Sequence, residues 1–513
     1  MKYSNQIFTS VIPSLPYQYF IFVASSLSEN SVHNQEQSFR VQFSLLKPLR
    51  FIRNQECLPC IMSSKRTNRK FITPNRDQLT LLPPAIEDWL PERHLARFVV
   101  EVTAQLNMDN IYESYGRFGA PPLDPRMLLG LIFYGYCSGI FSSRKIEAAT
   151  YDSVAFRYIS GDLHPDHDSI ASFRQRFLEE IESFFVEILL IAKSMGFVKV
   201  GNVNVDGTKE KANASKHSAM SYGHIEKLEK QYEAEVQRLI ELAQQADSEK
   251  VQDLDIPEEM KRREDRLAKI REAKQVLEER AKERYEKEKA EYDDKMNKRK
   301  KQEEATGKKP RGKVPKPPKE GPKPKDQYNF TDPQSRIMKT ADGFDQCYNA
   351  QAAVTDNMMI VGGYATDHSN DKGELKEVLD SIPQELGEVK TATADTGYYS
   401  EKAIEACEIR GIDPHIATGR QKHNGWLEWK LSNPEKEATQ LSTKERMRQK
   451  LKSEQGHAIY RKRKMTVEPV FGIIKEIMGF RRFSFRGIEK VNAEWKLVCC
   501  AYNLKRMFKL SIV

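Results

Sequence analysis

No apolar run in the 513 residues approaches the ~20 needed to cross a bilayer. The best candidate, Tyr19 to Ala24, is far too short and lacks a convincing cleavage site, so neither a membrane span nor a secretory signal is read and a cytoplasmic protein is expected. Cysteine is sparse. The seven residues Cys57, Cys60, Cys137, Cys347, Cys407, Cys499 and Cys500 are scattered and odd in number, which fits reduced thiols better than a disulfide frame. Cys57-Leu-Pro-Cys60 has zinc-knuckle spacing, but no second ligand pair lies nearby and chance accounts for it. A large excess of acid is also absent: 82 Lys and Arg face 73 Asp and Glu, for a net charge of +9. That balance admits a polyanionic partner, nucleic acid first, although a mildly basic protein without one has the same charge.

What is present is polar and long. Mean hydropathy is −0.65, with 39% hydrophobic and 30% charged residues, and the length implies roughly three domains. Residues 1–61 mix Ser, Asn and Gln with short apolar bursts and sustain neither structural period. Met62 reads as a natural start, so residues 1–70 are expected to be a disordered or misassigned leader. Residues 71–196 read as a helical N-terminal domain. Ile86, Leu90, Leu95, Phe98, Val99 and Val102 recur at helical spacing, as do Met127, Leu128, Leu131 and Ile132. Another helix is expected at Ser143 to Ala149, and one from Ser169 to Phe185 with Asp168 as its N-cap. Its basic residues suit DNA binding and equally suit a solvated scaffold.

The period then changes. Val203 and Val205 alternate up to Asp206, a strand. Two helical stripes follow, Ile225 to Leu242 and Met260 to Tyr285, broken at Ile256-Pro257; residues 225–298 read as a helical hairpin whose ~40-residue arms would reach roughly 60 Å. Residues 299–325, rich in Lys, Pro and Gly, read as a flexible basic linker. Strands are expected at Gln346–Val354, Met359–Ala365, Val389–Ala394 and Pro414–Ala417, with helices at Glu374–Leu379, at Glu401–Arg410 and from Glu468. The order with the hairpin removed, β-β-β-α-β-α-β-α, indicates an α/β fold with a mixed sheet in 197–224 and 326–513.

Asp206 and Asp395 close two of these strands, and carboxylates at neighbouring strand ends share a surface. Metal chemistry on phosphodiesters needs such closeness, with hard Mg²⁺ or Mn²⁺ ions about 3.5–4 Å apart. Each aspartate alone is equally an ordinary strand-ending turn. Glu468 and Lys475 are seven apart and share a helix face, a ligand and a phosphate clamp. Pro469 is comfortable only in a first turn, which starts that helix near Glu468 and leaves the facing of Arg461 and Lys464 open. Ser369, Asn370 and Asp371 read as helix capping; Tyr398 and Tyr399 as candidates to stack on an unpaired base. In the strip Arg481, Arg482, Phe483, Phe485 and Arg486, cations alternate with aromatics that suit either stacking or a core.

Tyr460 to Lys475, with Gly479-Phe-Arg-Arg-Phe483 and Glu494-Trp-Lys-Leu497, resembles the C-terminal signature of insertion-sequence DDE transposases. Val205-Asp-Gly-Thr-Lys209 with Ala212 to Lys216, and Ala394-Asp-Thr-Gly-Tyr-Tyr399, are similar to that family's two aspartate motifs. Pro83 to Phe177, including Leu128 to Tyr136 and His164-Pro-Asp-His-Asp168, resembles its helical domain. The resemblance spans roughly Phe71 to Phe508. It implies a ribonuclease-H-like catalytic domain with Asp206, Asp395 and Glu468 holding two divalent ions. It also implies DNA contacts by Tyr460, Arg461 or Arg463, and Lys475, with Lys464, Arg481 and Arg482 as further phosphate contacts. The implied activity is cleavage at transposon terminal repeats and strand transfer into target DNA, by a dimer in the paired-end complex. The usual spacing puts tyrosine seven and arginine four residues before the glutamate; here Tyr460 is eight before, and Lys464 holds the fourth position. Two other readings stay open: a metal nuclease that cuts without joining, and a non-catalytic DNA-binding or coiled-coil scaffold of transposase descent.

Overall fold

The computed structural model describes residues 85–115, 121–246, 256–307, 312–419 and 442–512. The expected leader and Cys57-Cys60 lie outside them. Seven helices come first: α1 (Leu95–Gln105), α2 (Asp109–Glu113), α3 (Pro125–Cys137), α4 (Ser143–Asp152), α5 (Val154–Ser160), α6 (His167–Arg176) and α7 (Glu180–Ser194). Asp124 caps α3 by accepting from Arg126 N, with Pro125 in the first turn where its missing N–H costs nothing. Leu128 to Cys137 are all buried, so α3 is a central helix enclosed by the others. The single helix expected from Ser169 to Phe185 is two, α6 and α7. The N-cap is Asp166, which accepts from Ser169 N at 2.7 Å, rather than Asp168.

A six-stranded sheet follows, built from β1 (Asn202–Lys211), β4 (Arg336–Thr340), β5 (Gly343–Thr355), β6 (Ile360–Thr366), β7 (Thr391–Ala394) and β8 (Asp413–Ile416). β5 runs antiparallel to β1 on one edge and to β4 and β6 on the other, while β1, β7 and β8 are mutually parallel. This is the mixed sheet expected of a ribonuclease-H-like α/β fold beside a helical N-terminal region. β4 went unread because its Arg336-Ile-Met-Lys-Thr340 run lacks a clean alternation; it pairs back through the turn at Ala341 and Asp342. Between β7 and its flanking strands lie α10 (Glu374–Asp380) and α11 (Glu401–Ile409), and the chain ends with α12 (Thr443–Lys452), α13 (Glu454–Gly472) and α14 (Ile488–Ser511).

Between β1 and β4 come β2 (Ala219–Ser221), α8 (Tyr222–Ala246), α9 (Ile256–Thr306) and β3 (Gln327–Asn329), with β2 and β3 forming a small ladder. The two helices pack through Ile225, Ile270, Ala273 and Leu277, beside Tyr328 of that ladder. The arms are unequal. α8 has 25 residues and α9 has 51, roughly 75 Å at 1.5 Å per residue. α9 thus runs through Arg299 and into the segment read as linker, because its Lys and Glu residues are good helix formers whatever their charge. The later part of that segment is anchored: Gly223 N donates to Pro324 O and Tyr222 N to Asp326 O, and Arg284 pairs with Asp326 at 2.9 Å.

α14 joins the sheet to the helical region and is buried on most of its faces. It also closes the edge of β6, a strand otherwise open to pairing. Asn503 accepts from Ile360 N and donates to Ile360 O at 3.0 and 2.8 Å; Asn492 does the same at Ala365, at 2.6 and 3.1 Å. Eleven helical residues and five strand residues both span roughly 16–17 Å, so the two amides meet the edge in register. Asn503→Leu leaves both backbone groups of Ile360 without partners inside a dry contact, at about 1–3 kcal/mol each. A denaturant midpoint that does not fall in this variant contradicts the edge-closing role.

Candidate active site

Asn204 and Thr393 face each other across the parallel β1–β7 pair. Two residues on, on the same face, stand Asp206 and Asp395. β7 stops at Ala394, so β1 beyond this point has a free edge until Lys211, where Phe483 N donates to Lys211 O at 2.8 Å. The gap between is the mouth of the site.

α13 covers this face. Val467, Val470 and Phe471 form its apolar stripe, and Arg463 lies buried on the same stripe. Its guanidinium donates to Asp206 Oδ2 at 2.7 Å and reaches Glu468 Oε1 at 3.3 Å. The helix does not begin at Glu468. It begins at Glu454 and carries Pro469 in its interior. The cost is contained because the carbonyl left without a donor belongs to Met465, whose residue is 65% exposed and open to water. Glu468 is half-exposed at the rim and Tyr460 half-buried beside Arg463. Arg461 and Lys464 are exposed on the same helix.

Burial pushes the Asp206 carboxyl up to about 6; the Arg463 cation opposes this and the nearby Asp395 adds to it. The same is true further along β1, where burial pushes Glu210 up to about 7 against the opposing charge of Lys475. A π-helical turn, Ile473–Ile477, follows α13. It seats Lys475 over the strand, 3.1 Å from Glu210 Oε1 and 3.3 Å from Lys209 O, rather than among the three acids. Arg481 and Arg482 are exposed.

Asp395 Oδ1 accepts from Gly397 N at 2.8 Å. The loop it opens is pinned by Tyr398, whose hydroxyl donates to Gln351 and which is fully buried. Tyr398 is thereby removed as a stacking platform. Sequence reading also misjudged Asp371. It caps no helix: its Oδ1 accepts from Asn349 at 2.7 Å, Gln351 at 2.9 Å and Lys209 at 3.2 Å. These residues lie on the face of β1 and β5 opposite Asp206. Gly207 makes room for them, since a Cβ there would stand 2.4 Å from Gln351 Nε2 and 2.9 Å from Asp371 Oδ1. Asp371 therefore braces β1 and β5 behind Asp206, which lies inside β1 rather than at the strand end expected from sequence, because the strand continues to Lys211. Asp371→Asn turns a donor toward three donors and is expected to lower the thermal midpoint; an unchanged midpoint would contradict the supporting role. The signal in the sequence was the pairing of Asn349 and Gln351 on one strand face with glycine opposite.

Three carboxylates make an oxygen donor set suited to Mg²⁺ or Mn²⁺. Among the described residues no three such side chains yet close on a common point. Arg463 stands between Asp206 and Glu468, bonded to both.

Residues 432–508 match a family described as Transposase DDE domain, and residues 84–176 match one described as Transposase domain (DUF772). Both matches support an insertion-sequence DDE transposase. The first contains Glu468, Lys475, all of α13 and α14 up to Phe508; the second takes in α1 to α6. The strands carrying Asp206 and leading to Asp395 lie between the two matched regions. No curated protein and no solved structure matches the chain. No helix among the described residues is long and apolar enough to cross a membrane.

Proposed function

We propose that this transposase cleaves transposon ends and joins them to target DNA at a site formed by Asp206, Asp395 and Glu468. The observation that carries the reading is Arg463, one buried cation tying the carboxylate of β1 to that of α13. Two of the three acids, from distant parts of the chain, thus share one cation, and Asp395 lies near enough to act on the charge of Asp206. When bound by these carboxylates, two Mg²⁺ or Mn²⁺ ions supply Lewis-acid activation of the attacking oxygen and stabilise the leaving one. The chain's own residues do the rest. Arg463, freed from one carboxylate, is placed to neutralise a non-bridging phosphate oxygen, and Tyr460 holds it from the adjacent turn. Lys475, Arg461, Lys464, Arg481 and Arg482 position the backbone of the bound strand. In this reading the helical region 71–196 contributes DNA binding, 197–224 with 326–513 forms the catalytic domain, and α8 with α9 is an insertion. Two copies assemble on paired ends.

The test uses the full chain, duplexes taken from the DNA flanking its gene, and a supercoiled target plasmid. Mg²⁺ or Mn²⁺ should produce 3′-hydroxyl ends at one position and then joined products, and a chelator should stop both. Cutting without joining supports the nuclease alternative. DNA binding with no cutting under any divalent ion supports the scaffold.

A further inference from the structure

Where the helical region meets the end of β1 there is a cavity of about 530 Å³, lined among others by Phe141, Ser143, Arg144, Arg174, Asn213 and Arg482. Its charge is lopsided, with three arginines against the single carboxylate of Asp168. Arg144 and Arg482 are exposed, and neither has an acidic partner among the described residues. Arg174 is held in place by bonds to Phe141 O at 2.9 Å and Tyr136 at 3.2 Å and by stacking on Phe485 at 4.9 Å. Its Nε is buried and lacks an acceptor. Three guanidinium groups line one hollow, and the complement of such a cluster is an anionic oxygen.

Position says which anion. Arg482 bridges to Lys211, five residues along β1 from Asp206, or roughly 17 Å at the rise of a strand. Lys475 binds the carbonyl of Lys209, three residues along, roughly 10 Å. One strand of a duplex advances about 3.4 Å per nucleotide along its axis but turns half-way round the helix in about five, so distance along β1 fixes how far the seat lies from the reacting phosphate and not which nucleotide it takes. A duplex over Asp206 reaches the arginine cavity roughly 17 Å from that carboxylate. We infer that this cavity is a backbone-phosphate seat for DNA within about half a helical turn of the scissile bond, shared between the helical region and the catalytic sheet. The inference rests on the proposed transposase chemistry for its starting point at Asp206. It adds Arg144 and Arg174, which no sequence motif singled out, to the DNA-contacting set.

The experiment compares the full-length wild type with the Arg144→Gln/Arg482→Gln double variant. Both side chains are exposed and unpaired, so the thermal midpoint should not move. Binding to a fluorescein-labelled 30-base-pair duplex is followed by anisotropy from 50 to 200 mM salt. Each lost phosphate contact removes about 0.9 from the slope of log K against log salt, so the double variant should lose about 2. Its affinity at 150 mM should fall at least about tenfold. A series of duplexes carrying one methylphosphonate each then gives the register. Neutralising one phosphate within about half a helical turn of the nick, on either strand, should weaken wild-type binding and leave the double variant unaffected. An unchanged slope with the same methylphosphonate profile in both proteins overturns the seat. The slope needs no cleavage, so wild type that binds but never nicks removes the catalytic reading alone; wild type that binds no DNA removes both.

Discussion

Replacing Asp206 with Asn is expected to reduce end cleavage by on the order of a thousandfold or more and, in the same protein, to raise the thermal midpoint of the metal-free chain. The first effect follows from losing one of the three proposed ligand carboxylates, since an amide is a poor ligand for a hard cation. The second follows from the cost of keeping that carboxylate ionised. Burial raises its pKa from 3.8 to about 6, even with Arg463 at 2.7 Å. A folded value above the unfolded one means that the folded state binds the proton more tightly. Below about pH 4 both states are protonated and no penalty exists; it grows through pH 4 to 6 and is fully present at neutral pH. About two pH units at about 1.4 kcal/mol each sets an upper bound of about 3 kcal/mol, which a neutral isostere relieves. Melting of the metal-free proteins should separate variant from wild type at pH 7.5 and bring them together near pH 4. A variant that still transfers strands would refute the catalytic role, and one no more stable than wild type would refute the electrostatic cost. Stability given up at a charged site for function is the expected trade.

Glu494→Ala should be the most destabilising single change outside the site. The carboxylate is fully buried and accepts from Ser484 N at 2.8 Å, Phe485 N at 3.1 Å and Tyr136 at 3.1 Å, as well as from the Ser484 hydroxyl. It thus ties α14 to the Arg481–Arg486 strip and to α3 of the helical region. Removing it leaves several buried donors unsatisfied at about 1–3 kcal/mol apiece, and the loss should total about 3–6 kcal/mol in denaturant unfolding. Glu494→Gln keeps the volume but turns a donor toward donors, so it should fall between. The strip would also be freed, and the salt slope of DNA binding should weaken in parallel. A change under about 1 kcal/mol would show that the loop is held by its phenylalanines alone. Phe480 and Phe483 are core residues, and Phe485 is half-buried beneath Arg174. The neighbouring Trp495 belongs to the same clamp: its indole donates to Gln351 O at 2.9 Å, across a gap kept open by Gly363. The Glu494-Trp-Lys-Leu497 signature is therefore structural, whatever its place in a transposase motif.

Local pattern alone carried a good deal. Alternation over Val203 to Asp206, the apolar run of α3 and the two stripes of the hairpin each encode an element, because a strand buries every second residue and a helix every third or fourth. Asp395 falls just past the end of β7 as expected, whereas β1 runs on from Asp206 to Lys211 and makes that aspartate an interior strand residue; residue types named the chemistry, hard oxygen ligands beside cations. Tertiary structure decided what local periodicity does not contain. Pro469 sits inside a helix because its unsatisfied carbonyl faces water. Arg463, not Lys464, holds Glu468, because the apolar stripe of α13 turns Arg463 toward β1. Asp371 supports the site because Asn349, Gln351 and Lys209 meet it across two strands. Each of these depends on what faces a residue from a distant part of the chain, and sequence spacing within one element carries no record of that.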